Sequence, residues 1–283
     1  MTFKTILVSL NHEKRVAALV SAAAVIARRT DAHVIGLYVM PPLFMPSDVI
    51  LPMGSEFYQQ QISEHHAQSA RIKKRFEELT HGEAFVAEWR VQGDARSAYG
   101  TVADGVVQQS RSAELVIVSQ ACDGIAPPML TDIPQRVALE SGRPVLVVPV
   151  KWSPCEFGHD IAIAWNDSRE ASRATFDAVP LMRNAKTVRL LTIGETTDDD
   201  GTTTMTATDI ASTLARHGLK VDVEAIDDNS RNVGPAILAR VVSDGADLLV
   251  MGAYGHSRMR EFILGGATRD MLKSMTVPVL MSH

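Results

Sequence analysis

Apolar residues in this chain gather into short unbroken runs, and the runs are separated by segments of helical length. "KTILVSL", "HVIGLYVM", "AFVAEWRV", "ELVIVSQ" and "PVLVVPV" read as strands, with helices expected over residues 14–29 and 63–79, near 95–109, and near 132–140. Near-continuous Val, Ile and Leu between helices indicates parallel strands covered on both faces. The order then restarts. "DIAIAWN", "TVRLLTI", "KVDVEAI", "DLLVMGA" and "PVLMSH" alternate with helices expected over 168–182, 204–217, 234–243 and 266–273.

Two pairs of segments support a true duplication: "AELVIVSQACDG" with "ADLLVMGAYGHS", and "SGRPVLVVPV" with "SMTVPVLMSH". A repeat of this size is domain-sized, far longer than a solenoid unit. The sequence therefore predicts an α/β chain of two tandem Rossmann-like domains, 1–151 and 156–283, each with a five-stranded parallel sheet. The joint falls near "VKWSPCEFG", where prolines and a glycine punctuate the pattern. One stretch breaks the symmetry: "PPLFMPSDVILPMGSEF", residues 41–57, occurs in the first copy alone. It reads as an insertion packed on its own domain, with a lid or partner surface as the other reading.

Composition narrows the function. A chain of 283 residues with 46% hydrophobic and 22% charged residues is globular, and a net charge of -5 offers no general attraction to phosphate backbones. Nucleic acid is not the expected partner. The most apolar helical stretch, "AALVSAAAVIARR", falls short of the ~20 residues a membrane span needs. The N-terminal "MTFKTILVSLNHEK" reads as a strand and not as a signal peptide. Two cysteines, Cys122 and Cys155, encode neither a disulfide framework nor a zinc site, so a cytoplasmic setting is expected.

The candidate chemistry sits in "MGAYGHSRMREFILGGAT", between the fourth strand and the last helix of the second copy. Open parallel sheets bind ligands beyond the carboxyl ends of their strands. Glycines there let a backbone approach a bulky anion, and a helix N-terminus adds unpaired N–H donors and partial positive charge. The stretch therefore predicts a phosphate or ribose-phosphate cradle, its side chains missing because the ligand takes their space. On that reading a valine at Gly252 or Gly265 blocks the ligand and spares the fold.

Along this stretch, and over essentially the whole chain, the sequence resembles the universal stress protein family in its tandem form. The ATP-binding branch of that family carries Gly-x2-Gly-x9-Gly followed by Ser or Thr, and Gly252, Gly255 and Gly265 match that spacing. Gly266 stands where the branch has its hydroxyl. Asn166 stands where it has an acidic residue for the adenine or ribose end, and Asp167 follows. The resemblance further implies that Ile193 offers backbone contacts to the base, that Met251 lines the base pocket, and that Ala267 and Thr268 complete the donors at the helix terminus. His256, Arg258 and Arg260 fall inside the phosphate loop, either neutralising phosphate charge or simply solvated.

In the first copy Ser119 and Cys122 take the places of Gly252 and Gly255, and the nine-residue spacer has no counterpart, although Asn11 matches Asn166. That copy is expected to bind no nucleotide and to serve as a pseudo-dimer partner. Family members pair through their last strands, which implies antiparallel pairing of "PVLVVPV" with "PVLMSH" inside one chain. The chain is then a monomeric pseudo-dimer or a homodimer of such chains.

The expected function is a cytoplasmic stress-response or signalling protein that binds an adenine nucleotide in its second domain. ATP is the first choice, AMP and ADP the alternatives, with or without magnesium, and the protein partner is unknown. With no P-loop lysine, no dinucleotide fingerprint and no serine elbow, no efficient catalysis is written here, and at most slow ATP hydrolysis is expected. The competing readings are an interaction protein with a decayed pocket and a slow nucleotide hydrolase.

Overall fold

The protein is described here by a computed structural model covering residues 2–43, 55–93, 100–121, 130, 132–193, 207–226, 233–254 and 266–283. The first half runs β1 (Thr5–Ser9), a 3-10 turn (Glu13–Arg15), α1 (Val16–Thr30), β2 (His33–Val39), α2 (Ser55–Thr80), β3 (Ala87–Gln92), α3 (Val102–Ser110), β4 (Leu115–Ser119), α4 (Ile133–Glu140) and β5 (Val145–Val148). The second half runs β6 (Asp160–Trp165), α5 (Arg169–Asp177), α6 (Val179–Met182), β7 (Thr187–Ile193), α7 (Ala207–Ala215), β8 (Val221–Ile226), α8 (Val233–Ser243), β9 (Leu248–Gly252), α9 (Gly266–Ser274) and β10 (Val279–Ser282).

The strands form one ten-stranded sheet in the order β3-β2-β1-β4-β5-β10-β9-β6-β7-β8. Within each half every pairing is parallel, and the halves meet where β10 pairs antiparallel with β5, Leu280 opposite Leu146. The expected pairing of the last strands inside one chain is thus present. An unpaired apolar strand edge invites association with other chains, and the seam removes one such edge from each half.

Alternation along the strands divides the core in two. Ile6 and Val8 of β1, with Leu248 and Val250 of β9, face the side covered by α1, α2, α5 and α7. Leu7, Leu249 and Met251 face the side of α3, α4, α8 and α9. Both faces of the inner strands are buried, which is why those strands read as continuous apolar runs, whereas the outermost β3 and β8 expose Val91 and Val223.

Three expected helices have different bounds. The segment expected over 168–182 is broken into α5 and α6, because Pro180 has no N–H to donate and its ring would strike the carbonyl four residues back. The helix expected near 95–109 begins at Val102. Gly100 turns there at φ +101, and Thr101 forms a capping box in which its hydroxyl accepts from the Asp104 N–H and the Asp104 carboxylate accepts from the Thr101 N–H. The Arg136 guanidinium and that Thr101 N–H hold the Asp104 carboxyl down at about 2. Helix α2 begins at Ser55, so the 41–57 insertion ends inside a helix; its residues 44–54 lie outside the described residues.

Because the two leucines facing each other across the seam are fully buried, truncation there loosens both halves. Leu280→Ala is expected to cost about 2–5 kcal/mol in urea unfolding. Hydrogen exchange should rise in β4 and β5 as well as in β9 and β10; acceleration confined to the second half would contradict a shared core.

Candidate functional site

The site is built at the carboxyl ends of β6, β7 and β9 and at the N-terminus of α9. Strand alternation turns position 252 toward the α5 side. A Cβ placed on Gly252 would lie 2.6 Å from the Ala171 nitrogen and 2.7 Å from the Glu170 carbonyl carbon. The space vacated at Gly252 is therefore filled by the first turn of α5, and the expectation that a ligand fills it is corrected. A valine at Gly252 disturbs the fold.

Beyond Gly252 the chain stays tied to the sheet through the Ala253 N–H, which donates to the Ser282 carbonyl at 2.8 Å. Tyr254 then takes a left-handed turn at φ +59, and its N–H donates to Thr268 Oγ1 at 3.2 Å. Thr268 is buried, so its hydroxyl clamps the departing strand to the first turn of α9. Gly255, His256, Arg258, Arg260 and Gly265 lie outside the described residues.

Gly266 opens α9 in an exposed position, and among the described residues a Cβ there would meet nothing within 4 Å. A helix N-terminus of this kind carries unpaired N–H donors that suit an anion. Ala267, half-buried, follows it. The close packing of α8 on this turn explains Gly234, where an added Cβ would sit 3.3 Å from the Ala267 carbonyl oxygen.

At the end of β6, Asn166 is exposed and Asp167 adopts φ +53. Ser168 caps α5: its hydroxyl accepts from the Ala171 N–H at 3.1 Å and donates to Asn166 Oδ1 at 2.7 Å. One end of the Asn166 amide is thereby used locally, and the amide nitrogen has no partner among the described residues. Ile193 ends β7 opposite Ile226. Met251, 5% exposed, lies in the core cluster with Met271, so it contributes to the floor of this region from below the surface.

Two residues absent from the sequence reading complete the picture. Glu170 is buried in the first turn of α5, 3.9 Å from Nδ1 of His283, whose ring also meets the Ala253 carbonyl at 3.0 Å. Burial pushes the Glu170 carboxyl up, but its own backbone N–H, Arg169 and His283 together outweigh that and keep it below the usual carboxylate range.

The equivalent position in the first half carries the opposite charge. Ile6 pairs with Leu115 as Ile161 pairs with Leu248, which equates Arg15 with Glu170 and Ser119 with Gly252. Arg15 is buried and turned onto the ends of β4 and β5. Its Nε donates to Ser119 Oγ at 2.8 Å, and its terminal nitrogens donate to the carbonyls of Val148 at 3.2 Å, Pro149 at 2.7 Å and Val150 at 2.9 Å. Burial lowers its pKa, and the carbonyl oxygens replace the water it loses. Asn11 is equally committed: its amide donates to the Val39 carbonyl at 2.6 Å and accepts from the Val39 N–H at 3.2 Å. The match of Asn11 to Asn166 is one of position, with a structural role in the first half. Cys122 lies outside the described residues.

Comparison with known proteins follows the same division. Residues 159–283 match the universal stress protein family model. A curated relative, universal stress protein Slr1230 of Synechocystis, is 31% identical over 93 residues, spanning 33% of this chain and 31% of that protein. The fold of the whole chain is similar to a universal stress protein from Archaeoglobus fulgidus, with a TM-score of 0.71, 17% identity, and 98% and 97% of the two chains covered. A second structure, a putative universal stress protein from Pseudomonas aeruginosa, gives a TM-score of 0.64 at 14% identity over 99% and 93%. Residues 159–283 therefore carry the match to the universal stress protein family, and this half is joined edge to edge with a first half of the same architecture.

Proposed function

We propose that the second half binds an adenine nucleotide, ATP in the first place, and that the chain acts as a stress-response or signalling protein whose nucleotide-bound form is read by a protein partner. The observation that carries this reading is the asymmetry between equivalent ends of the sheet. In the second half Gly266 at the α9 N-terminus and Asn166 are exposed, whereas in the first half Arg15 and Asn11 are buried and spend their donors on groups of their own half. The family match to residues 159–283 and the three-glycine spacing add to it.

On this reading the phosphates lie over the α9 N-terminus, with the N–H groups of Gly266 and Ala267 as donors, and the base and ribose lie toward Asn166 and Ile193. Thr268 acts indirectly, by holding the loop root through Tyr254. Magnesium, where present, arrives on the nucleotide phosphates. The helix terminus and backbone donors bind and neutralise phosphate charge, the role expected of a binding site.

Gly266 gives the direct test, because it is exposed and a Cβ there meets no described residue within 4 Å. Calorimetric titration of ATP should show about fivefold tighter binding for Gly266→Ser, which restores a hydroxyl worth ~1 kcal/mol. Gly266→Trp, which covers the terminus, should weaken ATP more than about tenfold with little change in melting temperature. Wild-type affinity in Gly266→Trp, or no binding of ATP, ADP or AMP to the native chain, would overturn the reading in favour of an interaction protein. Gly252→Val is expected to lose about 3 kcal/mol of stability from overpacking against α5, so its binding defect would not locate the site.

A further inference from the structure

The antiparallel seam places the amino ends of the first half's strands beside α5 and α6 of the second half, and a cavity of about 400 Å³ lies between them. Its apolar walls come from both halves: Phe3 and Pro144 on one side, Phe176 and Val179 on the other. The counterpart position, at the amino end of the second half, is covered differently. There Phe157 is buried and meets Trp152 edge-on with ring centroids 5.9 Å apart, and Arg29 of α1 donates to the Phe157 carbonyl at 2.7 Å. The acidic residues are equivalent as well. Asp247 accepts from the N–H groups of Gly158, His159 and Asp160, as Glu114 accepts from those of Lys4 and Thr5. One member of the pair is thus filled by aromatic side chains of the linker, and the other is open.

Glu114, Asp177, Arg143, Arg173 and His217 supply the charged and titratable groups of the open member, two carboxylates against two guanidiniums, and they are not all paired with one another. Glu114 is taken up by the backbone of Lys4 and Thr5, and Asp177 by Arg173 at 2.8 Å and by the Ser282 hydroxyl at 2.9 Å. Arg143 remains. Its guanidinium donates to the Arg111 carbonyl at 2.8 Å and forms no ion pair among the described residues. A cavity of this size at a domain junction, largely apolar with one available guanidinium, is the usual form of a small-molecule site. A planar fork of N–H donors is matched best by a carboxylate.

We propose that this cavity binds a small aromatic carboxylate, its ring between Phe3 and Phe176 and its carboxylate on Arg143. It lies apart from the glycine-rich stretch and owes nothing to nucleotide binding. The ring takes the place that Trp152 and Phe157 fill at the counterpart, and binding there bridges the two halves.

The test uses 2-naphthoate and its neutral amide, titrated calorimetrically into the full chain. Native protein should bind one 2-naphthoate and prefer it to 2-naphthamide by about tenfold, the worth of one charge-assisted pair. Arg143→Gln should bring that preference close to one, and Phe176→Ala should weaken acid and amide alike, each variant melting as the native chain does. Absence of naphthoate binding at millimolar concentration, equal affinity for acid and amide in native protein, or an undiminished preference in Arg143→Gln would each overturn the proposal.

Discussion

The antiparallel pairing of β5 with β10 is the interaction on which the rest of the molecule depends. Each five-stranded half carries a short, fully buried last strand, and leaving it unpaired would expose backbone donors and buried side chains together. Joining the two halves edge to edge satisfies both strands and forces opposite strand directions, so the carboxyl end of one half's last strand meets the amino end of the other's. The cavity between Phe3 and Phe176 and the linker packing of Trp152 on Phe157 are the two products of that geometry.

Near-symmetry of the backbone has been broken by side chains at its equivalent ends. A buried guanidinium is tolerable only where its donors are met, and Arg15 achieves this with one hydroxyl and three carbonyls of its own half. Glu170, at the equivalent position, instead packs behind Gly252 and beside His283. One scaffold thus carries a buried guanidinium at one end and a buried carboxylate at the equivalent place of the other.

Much of this was legible in the sequence for a plain reason: strands buried on both faces are continuous apolar runs, and duplication repeats the order of elements. The seam was expected from the resemblance to the universal stress protein family, whose members pair through their last strands. What could not be read was which neighbour occupies a missing side chain. Gly252 looks like a ligand-facing glycine until strand alternation and the entry of α5 show that Ala171 and Glu170 fill its space. Arg15 and Glu170 escaped notice because a single charged residue after a strand usually reads as solvated; only overlaying the two copies by their strand registers shows that both are buried. The break at Pro180 was visible in principle, since proline inside a helical pattern marks a boundary.

Hydrogen–deuterium exchange of the full chain with and without saturating ATP tests the central claim, the proposal that the second half and not the first takes the nucleotide. The account predicts protection in peptides covering residues 252–254 and 266–274 and unchanged exchange in those covering 9–16 and 115–121. Protection of the first-half peptides, or of neither set, would contradict it.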